Sequence, residues 1–242
     1  MSTLVRIVVT SIISLLMLSC NFSMNFGEGI DGDRNVVTSE RDVEGNFNAV
    51  KVSQGLELYI TQSNDAEITV EADENLQELI VTEVDNGELK IFSTKNIRRA
   101  ASRKIYVSFP DINRIKASSG SSVYSNNTIN SEDLEIKSSS GANIKLDVDT
   151  NTLICDSSSG GNIQLDGNTV SLMTEASSGS NISASSLKAE STTAKASSGA
   201  RIQINTSKAL TARASSGGDI RYSGNPERVE KSDSSSGSVR AN

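Results

Sequence analysis

Two aspartates, Asp147 and Asp166, each stand six residues after a glycine that closes a Ser-Ser-Gly tripeptide. Side by side, such a pair could hold a divalent cation, or divide acid and base roles at a glycosidic bond. Either chemistry needs further parts. The equivalent positions in the following copies are Ser185 and Asn205, and no Arg or Lys converges on the pair by register. A solvated turn therefore accounts for the two aspartates better than a metal or catalytic pair. The many serines supply no hydrolase nucleophile either. The chain has no His, so a Ser-His-Asp triad cannot be built. The Gly-x-Ser-x-Gly elbow, the Walker loop and the calcium-binding Gly-Gly-x-Gly-x-Asp repeat are all absent. The expectation is a protein that is not an enzyme and uses no cofactor or metal. The competing reading is a polysaccharide-acting β-helix enzyme, a lyase or hydrolase.

What must position these residues is a repeat. Ser-Ser-Gly ends at Gly120, Gly141, Gly160, Gly179, Gly199, Gly217 and Gly237, 18 to 21 residues apart. Three residues after the glycine come Val123, Ile144, Ile163, Ile182, Ile202 and Ile220; five before it come Ile115, Ile136, Cys155, Ala194 and Ala212. Apolar residues thus alternate with polar ones on both sides of each glycine, as in two short strands meeting at a tight turn. One such unit cannot bury its few inward side chains alone, so the units must stack. Residues 117–242 are predicted to form an all-β solenoid, a single-stranded parallel β-helix of about twenty residues per coil. Asn143, Asn162 and Asn181 all lie two residues after the glycine and would form an amide ladder along one corner. The flanking copies carry Ser122, Arg201 and Asp219 there, which favours a structural ladder over a ligand-binding row. Cys155 falls at an inward position, where a thiol acts as a small apolar group. The outward positions four after the glycine are mixed: Tyr124, Lys145, Gln164, Ser183, Gln203 and Arg221. With so few aromatics, the solenoid is not expected to stack sugars.

Residues 43–116 carry a diverged copy, with Val50, Val52, Leu58 and Ile60 at the repeat offsets around Gly55. Alternating runs follow, at Ile68–Ala72, Leu79–Val81, Leu89–Ile91 and Ile105–Phe109, with a turn signal at Asp85-Asn86-Gly87. This β-rich part is expected to cap the stack, because an open solenoid end exposes strand edges.

The start of the chain reads as an address. One basic residue, Arg6, precedes an apolar run from Ile7 to Leu18, too short for a comfortable membrane span. Ser19-Cys20 follows, and Met17-Leu18-Ser19-Cys20 resembles a bacterial lipobox, although Met17 stands where leucine is usual. Residues 1–19 are expected to be a cleaved lipoprotein signal, Cys20 the lipid-attachment site, and residues 20–42 a flexible tether. That places the protein outside the cytoplasm, anchored in the envelope, with the outer membrane of a Gram-negative cell as the expected home. A net charge of −7 excludes a nucleic-acid partner. The one basic cluster, Arg98, Arg99, Arg103 and Lys104, reads as a solvated loop between two strands. The partners left are the membrane, through the lipid, and an envelope protein or glycan; oligomeric state stays open.

Three stretches carry a family resemblance: Phe47-Asn-Ala-Val50-Lys-Val52-Ser-Gln-Gly55, Asn86-Gly87-Glu-Leu89-Lys-Ile91, and the recurring Ser-Ser-Gly-x-Asn-Ile, as in Ser139–Ile144. With them the chain resembles the putative auto-transporter adhesin, head GIN domain group over about residues 43–240. The resemblance implies the solenoid fold and an envelope role. It supplies no catalytic residues to carry over.

Overall fold

The computed structural model describes residues 29–43, 45–234 and 236–242. The signal segment 1–19 and the lipid-attachment residue Cys20 lie outside the described residues. The chain is a β-solenoid of about 7 turns with about 19 residues per turn.

The coil Asn143–Ser157 shows how a turn is built. Ile144, Leu146, Val148 and Thr150 are buried in alternation, and then Leu153, Cys155 and Ser157. The inward side changes phase between Thr150 and Leu153, which marks a corner. Ser-Ser-Gly makes the other corner. Each turn therefore has one face downstream of Ser-Ser-Gly and one face upstream of the next. Coils pair in parallel and in register, so equivalent residues stack. Down the downstream face run Leu58, Val123, Ile144, Ile163, Ile182, Ile202, Ile220 and Val239, all buried.

The Ser-Ser-Gly corner is a tight turn with two left-handed residues. Ser119 has φ 53° and Gly120 φ 71°, and the N–H of Ser121 donates to the carbonyl of Ser118 at 3.2 Å. This mirror-image turn matches the twist of paired strands, and glycine adopts its second position without strain. The corners are also cross-linked between coils. Gly120 N donates to Ser140 O and Gly141 N to Ser159 O, each at 3.1 Å. Gln54 and Gly55, with φ 61° and 72°, make the same corner, so the segment around Gly55 is the first coil. At the opposite corner buried threonines serve the backbone and each other. The hydroxyl of Thr150 donates to that of Thr169 at 3.0 Å, and that of Thr206 to the Glu190 carbonyl at 3.2 Å.

Two details depart from the expected register. Val239 pairs with Ile220 and Ser238 with Asp219, so Gly237 stands level with Gly218, one place beyond the left-handed pair. Its N–H donates to Ser234 O, as that of Gly218 does to Ser215 O. The extra serine in Ser234-Ser235-Ser236 causes the offset. The second departure is a bulge in the strand Asn181–Ala196. It sets Ser186, not Ser185, opposite Asp166, and pairs Asn205 with Lys188.

Residues before the repeat close one end. Glu88–Ser93 and Arg103–Phe109 lie parallel beneath the two faces of the first coil, with Leu89 against Val50 and Ile105 against Leu58. Antiparallel strands then extend each face: Ile80–Asp85 on one side, Glu67–Asp73 and Val36–Arg41 on the other. A 3-10 helix, Glu74–Leu79, carries the buried Leu76 between them. The expected tether 20–42 thus ends early, because Ile30–Asp31 and Val36–Arg41 are strands. No side chain of Val36–Arg41 is fully buried. Its place comes from backbone pairing, which leaves no apolar alternation to read. Asp73 fixes this corner. Its buried carboxylate accepts from the N–H groups of Arg34, Ala101 and Ser102, each at 2.9 Å.

Candidate binding cleft beside a tyrosine row

In-register parallel strands force like side chains into columns. On the outside of the downstream face this gives a tyrosine row. Tyr106 pairs with Tyr59, Tyr59 with Tyr124, and Tyr124 with Lys145. The rings of Tyr59 and Tyr106 are stacked with centroids 5.3 Å apart, and those of Tyr59 and Tyr124 at 5.2 Å. These separations are close to one strand spacing, and the rings are inclined by 23° and 29°. Burial, with a smaller push from Glu57, raises the Tyr59 phenol above its ordinary range.

The aspartate pair lies beside the end of this row. Asp147 and Asp166 are register partners on neighbouring coils. With Tyr59, Tyr124, Asn126 and Lys145 they line a cleft of about 310 Å³. The backbone N–H of Asp147 donates to the Ser125 hydroxyl at 2.9 Å, and the Asn126 amide donates to the Thr61 hydroxyl at 3.0 Å. None of the Lys145, Asp147 and Asp166 side chains makes a hydrogen bond or ion pair to another described residue. Charged groups of both signs therefore share one small opening with their capacity unspent. Lys145 enters beside the acids because it stands two residues before Asp147 on the same strand and so shares its face, which corrects the expectation that no Arg or Lys converges on the pair.

An acid–base pair needs two environments that separate an acid from a base. Asp147 and Asp166 share one solvent-facing surface, and nothing among the described residues sets them apart in that way. No group of three or more His, Cys, Asp or Glu is placed to hold a metal ion among the described residues.

The other sequence candidates have structural surroundings. The Asn181 amide donates to the Asn162 carbonyl oxygen at 2.8 Å, which makes one rung of the expected ladder. Asn143 is in register with Asn162 but adds no amide rung. Cys155 is fully buried between Ile136 and Thr174, and burial pushes its thiol far up, out of reach of thiolate chemistry. Gly120, Gly141, Gly160, Gly179, Gly199 and Gly217 hold left-handed corner positions with φ from 69° to 79°. In the basic cluster, Arg98 pairs with Asp31, and Lys104 reaches Glu71 at 3.5 Å. All four residues lie in the strands Ile97–Arg99 and Arg103–Phe109, which corrects the expectation of a solvated loop between two strands.

Scarce aromatics spoke against sugar stacking on the solenoid, yet three of the four tyrosines gather in one row. The signal was present in part: Tyr59 and Tyr124 both stand four residues after a corner glycine. Tyr106 joins them through a strand outside the repeat, so no offset points to it.

Comparison with known proteins agrees with this architecture. The family model described as putative auto-transporter adhesin, head GIN domain, matches residues 46–226. Among solved structures, a putative adhesin from Bacteroides fragilis superposes with TM-score 0.82 at 22% identity, covering 88% of this chain and 100% of that one. A putative lipid binding protein from Parabacteroides distasonis gives TM-score 0.74 at 22% identity, covering 89% and 100%. A putative adhesin from Parabacteroides merdae gives 0.71 at 20% identity, covering 88% and 99%. At these identities the likeness is one of fold. No curated protein matches the chain.

Proposed function

Because the chain belongs to the head GIN domain family of putative auto-transporter adhesins, we propose that it is a non-catalytic binding or scaffold module of the bacterial cell envelope. A lipid on Cys20 holds it to the membrane, with the outer membrane of a Gram-negative cell as its place. The adhesin names carried by proteins of the same fold support the binding role. The observation that carries it is the cleft at the tyrosine row. Its charged side chains, Lys145, Asp147 and Asp166, make no bond to another described residue and are free for a ligand. A polysaccharide-acting enzyme would instead need two carboxylates held in unlike settings. Reproducible glycan cleavage, abolished by a point change, would overturn the binding reading.

The anchor is tested in cells fed a labelled fatty acid. Wild-type protein is expected to take up label and enter the detergent phase, and the Cys20→Ser chain to do neither. Equal partition of the two would remove the lipid from the proposal. Protease treatment of intact cells then tells which membrane face carries the solenoid.

A further inference from the structure

We infer that the cleft at the end of the tyrosine row is a saccharide site, taking a neutral, hydroxyl-rich sugar that continues the aromatic stack. The inference deepens the binding-module reading and rests on it.

The first argument is geometric. Tyr106, Tyr59 and Tyr124 stack on one another, so their rings occupy each other's faces except at the ends. At the Tyr124 end the next residue in register is Lys145, not an aromatic. The Tyr124 face turned toward that rung has no ring against it among the described residues. An aromatic face is electron-rich and attracts the weakly positive C–H groups of a sugar ring. A sugar ring is about as thick as one strand spacing, roughly 4.8 Å, so it takes the place beside the Tyr124 face when the exposed Lys145 side chain swings outward.

The second argument concerns the groups around that place. Asp147 and Asp166 stand one above the other and can accept hydrogen bonds from adjacent hydroxyls. Lys145 supplies donors from the same cleft. The cleft of about 310 Å³ lies at the small end of the range for small-ligand sites.

The same residues exclude other ligands. Two carboxylates against one ammonium repel phosphates and polyanions. A purely apolar ligand would strip water from three charged groups and return nothing. A metal ion would find only two acidic ligands there. An extended peptide seeks a sheet edge, and this cleft lies on a sheet face.

The chain has four tyrosines and no Trp, and three of the four form the row, so tyrosine fluorescence reports on this site. The full exported chain in detergent micelles would be titrated with three neutral tetrasaccharides: β-1,4-linked glucose, β-1,4-linked N-acetylglucosamine and α-linked mannose. At least one is expected to change tyrosine emission and ring NMR shifts, saturating on the order of millimolar. Tyr124→Leu, which keeps a strand-compatible side chain, should weaken binding by about tenfold or more. Asp147→Asn with Asp166→Asn should also weaken it, and Tyr222→Phe should leave it unchanged. The inference is overturned if none of the three sugars gives a saturable response up to about 20 mM. It is equally overturned if Tyr124→Leu, with unchanged circular dichroism and melting midpoint, binds as wild type does.

A second measurement separates this failure from failure of the broader reading. Retention on washed envelope fragments is compared for chains that all carry Cys20→Ser, so that lipid insertion does not contribute. Equal retention with and without Tyr124→Leu keeps the binding module and rejects this cleft. No retention of either chain rejects the module as well.

Discussion

The two ends of the solenoid are closed by opposite means. At the N-terminal end, antiparallel strands, a 3-10 helix and large side chains fill the opening. Phe109, Leu56, Leu76 and Ile105 are fully buried there. Toward the C-terminus the core thins. One inward column of the upstream face reads Leu89, Val50, Ile115, Ile136, Cys155, Thr174, Ala194, Ala212 and finally Lys231. Beside it Ala214 pairs with Asp233. The last upstream strand, Arg228–Asp233, is exposed along its whole length. Charges at inward positions of an edge strand block further pairing without a covering element. The repeat core also holds hydroxyls, those of Thr174 and Thr192, without a hydrogen-bond partner among the described residues. The column thus carries its bulk at the cap end and thins coil by coil toward the C-terminus.

The strongest test of that contrast uses one large truncation at each end. Phe109→Ala in the cap should cost about 3–5 kcal/mol, and Leu210→Ala in a late coil about 2–5 kcal/mol. The pattern of loss separates them more than its size. A stack in which each coil touches only its neighbours frays from its weaker end. Hydrogen exchange should show Phe109→Ala lowering protection through all coils, and Leu210→Ala lowering it mainly beyond about that coil. Uniform loss of protection in both variants would break the distinction and make the solenoid one cooperative unit.

Asp73 sharpens the same contrast, since a charged clamp of this kind is found in the cap. Burial would raise its pKa, but the N–H groups of Ser102, Ala101 and Arg34 outweigh that and hold the carboxyl below its ordinary range. A group whose pKa is lower when folded stabilises the fold above its unfolded pKa. The contribution is lost as pH falls through the folded value, so the wild type should lose it below roughly pH 4. Asp73→Asn should cost about 2–3 kcal/mol at neutral pH, by weakening three hydrogen bonds to a charged acceptor. It should also flatten the acid limb of a stability–pH curve from denaturant melts. An acid limb of unchanged slope in Asp73→Asn would assign the acid sensitivity to other carboxylates.

The repeat was legible in the sequence because its physics is local. Alternation around Gly141 or Gly160 specifies strand, turn, strand, and the spacing specifies the stack. The cap was legible only as β-rich. Val36–Arg41 buries no side chain completely and pairs with residues some thirty positions away, so no period announces it. The cleft was half legible. Asp147 and Asp166 follow from the repeat offsets, and Tyr59 and Tyr124 share an offset. Lys145 has that same offset, two residues before Asp147, and only Tyr106 joins the others through pairing between strands alone. The offset of Gly237 shows the limit of motif matching: its tripeptide is right, yet three serines precede it and the register slips by one.

The smallest effects concern what the corner requires of its residues. An added Cβ at Gly141 would meet nothing within 4 Å, so Gly141→Ala strains only the backbone at φ 73° and should cost about 1–2 kcal/mol. At Gly218, one place further on in its own coil, an added Cβ would run into the Ala196 carbonyl oxygen, and Gly218→Ala should cost more than Gly141→Ala. Neighbouring positions of one corner thus need small residues for different reasons, one conformational and one steric. The serines before the glycines need a third account. Ser140 sits exposed at φ 51°, and its hydroxyl makes no hydrogen bond to a described residue. Asn tolerates that conformation better and is the preferred partner of glycine in this turn. Ser140→Asn should therefore stabilise by about 0.5 kcal/mol, read as a small rise in melting midpoint. The gain should recur at Ser159 and Ser178, whose φ values are 49° and 53°. If it does, the corner fixes only the backbone, and the repeated serine is not there for stability. A loss at all three sites would show that the hydroxyl itself belongs to the corner, and the left-handed backbone alone would not explain Ser-Ser-Gly.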